Sequence, residues 1–172
     1  MLQDTRGNEA RPMKNPTTVE RTSDRELVVT PAFDARASIV FDAMTNLELV
    51  KRWWAPRSLG VTLFSCEAEV RVGGKYRYVF GRDPAQSMAF SGVYRELVPH
   101  SRIVFTQVFE PMASVGEAVI TITLEEHVGK THMVQRQLYP SKQALDGAVA
   151  SGMEKGMRET YDQLDALAAS LA

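Results

Sequence analysis

The chain has 172 residues, a formal net charge of −1, 44% hydrophobic residues and 24% charged residues, which together fit one globular domain. This balance argues against nucleic acid or an anionic membrane surface as a partner, and no apolar run approaches the roughly 20 residues of a membrane span. Cys66 is the only cysteine, so no internal disulfide can form, and we expect a cytoplasmic protein.

The first elements in chain order are a tail, a strand and two short helices. Residues 1–24 are polar and aperiodic, which predicts a disordered tail. Apolar residues alternate with polar or small residues over 25–33, as in a half-buried strand. Apolar residues at helical spacing over 34–46 predict one short helix, and a second follows over 47–53 before Pro56 ends it.

From Val61 to Tyr139 the chain is a succession of strand-like segments separated by turn signals such as Gly73-Gly74. Six segments have this character, at 61–70, 74–81, 87–98, 102–110, 117–126 and 130–139. The links between successive segments are short, which predicts an antiparallel meander. With the first strand, the meander makes a sheet of seven strands.

The last segment, from Ser141 to the C-terminus, carries the longest helical pattern of the chain. Its apolar residues recur every three or four positions and form one stripe along the helix. Gly147, Gly152 and Gly156 interrupt the pattern, and each costs roughly 1 kcal/mol relative to alanine inside a helix. They indicate a close approach to other residues or a bend, with a helix that begins only near Ser151 as the alternative.

These elements predict an α+β domain over residues 25–172, in which a curved antiparallel seven-stranded sheet grips the long C-terminal helix. The sheet has to curve because one helix cannot cover seven flat strands. A curved sheet around a helix leaves a cavity between them unless large side chains fill it. We expect that cavity to bind a small hydrophobic molecule.

Strand alternation predicts which side chains face this cavity. The candidate ligand-binding residues on the strands are Tyr76, Tyr78, Tyr94, Glu96, Phe105 and Gln107. Glu96 is a candidate anchor for a ligand, or an acid–base group, because a buried carboxylate needs a partner, water or a proton. The alternative is a Glu96 that is solvated or paired at the strand end. The inward face of the last strand is either Met133, Gln135 and Gln137 or His132, Val134 and Arg136.

The C-terminal helix and the tryptophan pair supply the remaining candidates. Met153, Met157 and Tyr161 fall on the apolar stripe that faces the sheet, either as ligand contacts or as plain core residues. Trp53 and Trp54 are adjacent in sequence and therefore face different directions. We expect Trp53 in the core and Trp54 at the mouth of the cavity, with two structural tryptophans as the alternative.

Several stretches together resemble the activator of heat-shock-protein-90 ATPase homologue family. They are NLELVKRWWAP, VGGKYRY, FSGVYRELVPHSRIVFTQ and SGMEKGMRETYDQLDAL, which follow the family's order within about residues 25–169. The family lies within the START-like (SRPBCC) superfamily, so the resemblance implies its helix-grip fold. It also implies two alternatives to ligand binding: a cyclase- or hydrolase-like enzyme that uses Glu96, and a module that stimulates the ATPase of heat-shock protein 90.

The remaining function classes receive no support from the sequence. His100, His127 and His132 are scattered, and with one cysteine they give no zinc or copper pattern, so we expect neither a metal nor a cofactor. The sequence contains no G-x-S-x-G elbow, so it gives no indication of a hydrolase triad. We therefore expect binding rather than catalysis, with a homodimer through an exposed sheet edge as a further hypothesis.

Overall fold

The computed structural model describes residues 15–172. The strands are Thr18–Arg21 (β1), Glu26–Thr30 (β2), Ala32–Phe33 (β3), Thr62–Ala68 (β4), Lys75–Gly81 (β5), Met88–Val98 (β6), Arg102–Phe109 (β7), Ala118–His127 (β8) and Lys130–Leu138 (β9). The helices are Ala37–Thr45 (α1), Leu47–Trp53 (α2), Lys142–Ala150 (α3) and Met153–Leu171 (α4). Short 3₁₀ turns occupy Arg57–Leu59, Pro84–Gln86 and Glu110–Val115.

The strands of the described chain form one antiparallel sheet. The order across it is β1-β2-β9-β8-β7-β6-β5-β4, and β3 also pairs with β9. All six strands predicted between Val61 and Tyr139 are present, and each pairs with its neighbour in sequence, as expected from their short links. The α+β architecture, with two short helices after the first strands and a C-terminal helix, is therefore confirmed.

The predicted number of seven strands is wrong, because the described sheet has nine. Pro31 lacks an N–H donor and interrupts the first predicted strand, so that β2 and β3 are separate. Both pieces pair with β9 in one register, and the Pro31 carbonyl accepts a hydrogen bond from the Met133 N–H at 3.0 Å. The other additional strand, β1, lies in the segment predicted to be a disordered tail.

The prediction of a disordered tail is wrong for residues 15–24, where β1 pairs with β2 along four residues. Asn15 and Thr17, just before β1, are buried. The Asn15 side-chain amide donates to the Asp165 carboxylate of α4 at 3.2 Å. This segment is held by polar contacts with a distant helix. Its sequence therefore lacks the hydrophobic periodicity from which a strand could have been predicted. The rest of the predicted tail, residues 1–14, lies outside the described residues.

The C-terminal segment forms two helices, α3 and α4, rather than one long helix. Gly152 separates them with a φ of 82°, a left-handed conformation that glycine adopts without strain. The bend proposed for the three glycines is therefore present. Gly147 and Gly156 are not required by packing: a Cβ at Gly147 would meet nothing within 4 Å, and one at Gly156 would lie 3.9 Å from the nearest atom.

The main core lies where α1, α2 and the C-terminal half of α4 cover the concave face of the sheet. Its fully buried side chains include Val29, Phe33, Val40, Val50, Ile120, Ile122, Met133 and Leu164. The buried residues of α4 are Tyr161, Leu164, Leu167 and Ala168. The first half of α4, residues 153–160, has no fully buried residue, although Met153 and Met157 pack against the core, so most of the helix burial is in its second half. No helix of the described chain is long and apolar enough to cross a bilayer.

Two β-bulges interrupt the regular pairing of the sheet. One lies between Leu63 and Ser65 of β4, and the other between Tyr94 and Glu96 of β6. A bulge places an extra residue in one strand, which bends that strand and increases the local twist. Both bulges lie on the side of the sheet that contains β4, β5 and β6, and they increase its curvature there.

Gly92 allows the closest approach between β6 and its neighbours. A Cβ at this position would lie 1.9 Å from the Thr106 carbonyl oxygen and 2.8 Å from Cε1 of Tyr76. Tyr76 is directly opposite Gly92 on β5, and its hydroxyl donates to the same Thr106 carbonyl at 2.6 Å. The missing side chain of Gly92 therefore makes room for the Tyr76 ring on the concave face.

Replacing Gly92 with alanine is expected to lower the free energy of unfolding by roughly 3 kcal/mol, because the new methyl group overlaps backbone atoms that are held in the sheet. Gly147→Ala is the matched control, since nothing lies within 4 Å of its added Cβ. We expect this control to be more stable than the original chain by about 0.5–1 kcal/mol. Urea denaturation measures both values, and a Gly92→Ala variant of unchanged stability would contradict the contact.

Candidate ligand-binding site

Eight aromatic rings form a continuous run on the concave face of β5, β6 and β7. In order they are Phe109, Phe90, Phe80, Trp54, Tyr78, Tyr76, Tyr94 and Phe105, with successive centroids 5.2 to 6.3 Å apart. Most pairs are tilted or edge-to-face, the geometry that ring quadrupoles favour. The three tyrosines are buried, whereas the other five rings are half-buried. This aromatic run therefore presents apolar surface that water still reaches.

The structure places nine of the ten predicted site residues on the concave side of the sheet or on α4 above it. They are Trp54, Tyr76, Tyr78, Tyr94, Phe105, Gln107, Met153, Met157 and Tyr161. Phe80, Phe90 and Phe109 join them and were not among the candidates, although strand alternation gives them the same face. That these residues bind a ligand stays a prediction.

Glu96 is the exception, and its predicted inward orientation is wrong. The bulge after Tyr94 adds one residue to β6, so Glu96 pairs with Val104 rather than continuing the face of Tyr94. Its carboxylate lies 3.1 Å from the Arg102 guanidinium, and 45% of the Glu96 side chain is exposed. The alternative of a paired residue near the strand end is correct. The structure therefore does not support an enzyme mechanism in which Glu96 is the acid–base group inside a cavity.

The inward face of β9 is Met133, Gln135 and Gln137, which the alternation alone left undecided. Gln137 is 4% exposed and opposite Leu27 of β2. Its amide nitrogen donates to the Gln135 side-chain oxygen at 3.0 Å, and its own side-chain oxygen accepts from the Tyr139 hydroxyl at 2.9 Å. A row of neutral polar groups on Gln135, Gln137 and Tyr139, here called the amide row, thus lies inside an otherwise apolar face.

Two methionine sulfurs of α4 lie directly above the amide row. The Met157 sulfur is 3.4 Å from the amide nitrogen of Gln137, and the Met153 sulfur is 3.8 Å from the Tyr139 hydroxyl. Both methionines are only half-buried. The first half of α4 therefore touches the sheet through two flexible thioethers rather than through a packed apolar seam.

The two tryptophans separate as predicted. Trp53 is 6% exposed, and its indole N–H donates to the Ala43 carbonyl at 2.8 Å. Its ring stacks on Tyr161 of α4, with centroids 6.3 Å apart and planes 20° apart. Trp54 is half-buried and contacts the aromatic run. Trp53 therefore belongs to the core, and Trp54 lies among the half-buried rings of the aromatic run; its position at the mouth of a cavity stays a prediction.

Gln163 of α4, which was not predicted to matter, attaches the helix to the segment that carries both tryptophans. Its amide nitrogen donates to the carbonyls of Trp53 and Ala55 at 2.8 and 2.7 Å. Its side-chain oxygen accepts from the Arg57 N–H at 3.2 Å. One carboxamide thus satisfies three backbone groups at and just after the C-terminal end of α2. No local pattern in the sequence connects residues more than 100 positions apart.

One hollow of about 140 Å³ lies between the inner face of β1 and β2 and the junction of α3 with α4. It is lined by Val19, Arg21, Leu27, Val149, Met153 and Glu154, and we call it the Met153 hollow. Leu27 is directly opposite Gln137 in the sheet, so the hollow borders the amide row. The Arg21 guanidinium on its rim pairs with the Asp146 carboxylate at 2.7 Å.

A larger and more open groove of about 480 Å³ lies elsewhere, beside α1. Its lining residues are Phe41, Asp42, Thr45, Asn46, Val70, Leu97 and Pro99. None of the ten predicted site residues lines this α1 groove. It therefore offers a second surface against which binding at the concave face can be compared.

Burial favours the neutral forms of the tyrosines and of the cysteine in the interior. Burial raises the pKa of Tyr76, Tyr78, Tyr94 and Tyr161 above the ordinary value of a phenol, and raises that of Tyr139 to about 12. Burial also raises the pKa of the Cys66 thiol. Among the described residues, no group of three histidine, cysteine, aspartate or glutamate side chains is placed to hold a metal ion. The interior is therefore apolar with neutral hydrogen-bonding groups.

The architecture and the sequence both define a class of protein, a helix-grip domain with a concave apolar face. The family described as Activator of Hsp90 ATPase homolog 1-like protein matches residues 34–169. The chain belongs to this family. No curated protein sequence matched the chain.

Solved structures share the fold over most of the chain. A protein from Rhodobacter sphaeroides has 24% identity and a TM-score of 0.81, covering 90% of this chain and 99% of its own. One from Mycobacterium smegmatis has 21% identity and a TM-score of 0.78, covering 88% and 96%. One from Arthrobacter aurescens has 24% identity and a TM-score of 0.77, covering 89% and 91%. At these identities the likeness establishes the fold alone.

All five tyrosines of the chain lie in the interior, which predicts an unusual alkaline titration. We expect no tyrosinate absorbance at 295 nm near pH 10 in the folded protein, because burial favours the neutral phenols. In 8 M urea all five should titrate near the ordinary pKa of about 10. Stability is then fully present below pH 10 and falls as the pH rises towards the raised values. One tyrosine equivalent ionising near pH 10 in the folded state would contradict this.

The attachment of α4 by Gln163 predicts a specific loss of stability. Gln163→Leu removes three hydrogen bonds to backbone groups at and just after the end of α2 and should lower the free energy of unfolding by roughly 2–3 kcal/mol. Gln143→Leu, on an exposed position of α3, is the matched control and should change it by less than about 0.5 kcal/mol. Chemical denaturation followed by tryptophan fluorescence measures both. Equal effects of the two substitutions would show that the attachment contributes nothing.

Proposed function

We propose that this protein binds a small apolar molecule between the concave face of the sheet and the first half of α4. The observation that carries the proposal is the division of α4 into two halves. Residues 153–160 include no fully buried side chain, and the two half-buried methionines among them meet the sheet side at Gln137 and Tyr139, beside the Met153 hollow. Apolar surface that the chain leaves open to water gains free energy when a ligand covers it, by roughly 25 cal/mol per Å².

The size of the Met153 hollow supports a ligand of one or two rings. Its volume of about 140 Å³ is close to that of apolar cavities of about 150 Å³ that take up benzene. Met153 and Met157 can change rotamer at low cost because thioether side chains are flexible, so the space can extend along the amide row that they contact. Larger ligands of drug size need about 300 Å³ or more.

Binding, rather than acid–base catalysis, fits the groups in the interior. Catalysis by proton transfer needs a group whose pKa lies near the working pH. The five tyrosines have pKa values raised by burial, and Glu96 is on the outer face beside Arg102. A ligand would therefore be held and shielded from water, without a proton donor or acceptor poised to react with it.

A chaperone partner, a homodimer and a cytoplasmic location remain hypotheses, because fewer observations support them than support ligand binding. A chaperone as partner rests on family membership, and a pull-down with heat-shock protein 90 together with its ATPase rate distinguishes that role from ligand binding. A homodimer would use a free sheet edge, such as that of β4 at the end of the strand order. A cytoplasmic location rests on the single cysteine.

Ethylbenzene is a suitable probe for the proposed site, because it has one ring and no polar group. We expect a dissociation constant of roughly 0.1–1 mM, given its eight heavy atoms. Met153→Trp, which fills the Met153 hollow, should abolish saturation transfer from protein to ligand in an NMR experiment. Val70→Trp adds the same side chain to the α1 groove and should leave the transfer intact.

The opposite pattern, with binding lost in Val70→Trp and kept in Met153→Trp, would place the ligand in the α1 groove and overturn the proposed site. No saturation transfer from the original chain to ethylbenzene or any other one- or two-ring aromatic compound would overturn the proposed function itself. Circular dichroism of both variants serves as the control for folding.

A further inference from the structure

We infer that the ligand is an uncharged molecule with a hydrogen-bond acceptor, held with its apolar body against Met153 and Met157 and with its acceptor at Gln135. This inference rests on the proposed function and names the class of ligand. It follows from how apolar, polar and charged groups are distributed around the interior. The aromatic run occupies one side of the concave face, on β5 to β7, and the amide row occupies the other, on β9.

The amide row contains one saturated and one available carboxamide. Gln137 is fully engaged, because its nitrogen donates to Gln135 and approaches the Met157 sulfur, and its oxygen accepts from Tyr139. Gln135 uses only its oxygen in this row, and its amide nitrogen has no hydrogen-bond partner among the described residues. Gln135 is half-buried on the inner face. No buried side-chain nitrogen or oxygen of the described residues lacks a partner, so this donor is accessible to water, which an acceptor on a ligand can replace.

Gln107 strengthens the same conclusion from the neighbouring side. It is half-buried on the inner face of β7 opposite Ala118, and its side chain makes no hydrogen bond to the described residues. A carboxamide offers both donors and an acceptor without a net charge. The polar groups that face the interior are thus amides and hydroxyls, which complement carbonyl, ether or hydroxyl groups rather than ions.

Charged ligands are disfavoured because both charged residues that line the Met153 hollow are already paired. Arg21 is at the rim of the Met153 hollow, where Asp146 pairs with it at 2.7 Å. Glu154, on the same rim, pairs with Arg158 at 2.8 Å. A carboxylate or an ammonium group that entered would give up its hydration without an opposite charge to replace it, at a cost of several kcal/mol.

Three ligands of matched size test this inference: acetophenone, ethylbenzene and benzoate. They share one ring and differ in carrying a neutral acceptor, no polar group or a negative charge. We expect benzoate to bind at least ~10-fold more weakly than acetophenone. In Gln135→Leu the ratio of acetophenone affinity to ethylbenzene affinity should fall about 3- to 10-fold, which is the worth of one neutral hydrogen bond. Gln143→Leu, on the exposed side of α3, should leave that ratio unchanged.

A ratio unchanged in Gln135→Leu, or benzoate that binds as well as acetophenone, would overturn the inference while leaving the proposed function standing. Failure of all three compounds to bind the original chain would instead overturn the proposed function. If Gln135→Leu does not fold, the side-chain amide signal of Gln135 in a ¹⁵N correlation spectrum decides. It should shift on addition of acetophenone and stay in place with ethylbenzene, and equal shifts with both would contradict the inference.

Discussion

The structure depends on how α4 is attached, because its fully buried side chains all lie in its second half. Tyr161 stacks on Trp53, and the Gln163 carboxamide binds three backbone groups at and just after the end of α2. Gly152 breaks the helical path just before α4, so α3 and the first half of α4 need not share one axis. Because the second half is anchored, the first half can stand over the sheet without packing tightly on it.

The character of the interior follows from one irregularity in the sheet. Without the bulge after Tyr94, Glu96 would face inward and bring a carboxylate among the aromatic rings. With it, Glu96 pairs with Arg102 on the outer face, and the inner polar groups are carboxamides and phenols. A neutral interior suits the reversible binding of an uncharged molecule, and it offers little to a mechanism that moves protons. The bulge therefore favours ligand binding over acid–base catalysis by Glu96.

Family membership and the shared fold leave the function to be argued from the site, because one fold supports many activities. What the site offers is a concave aromatic surface, a row of neutral amides and a helix with flexible methionines above them. The adjacent residues Trp53 and Trp54 have two different roles, one in attaching the helices and one in the aromatic surface. Trp53 fastens α2 to α4, and Trp54 extends the surface on which a ligand would lie.

The sequence by itself determined the order and type of most elements, because periods of 2 and 3.6 residues are local properties of strands and helices. It predicted the inward tyrosines of β5 and the separation of the two tryptophans. Only the tertiary structure decided the orientation of Glu96, the inward face of β9 and the order of residues 15–24. A bulge, a strand's position in the sheet and polar contacts such as Asn15 with Asp165 all depend on partners distant in the chain. Such partners leave no periodic trace in the segment that they fix.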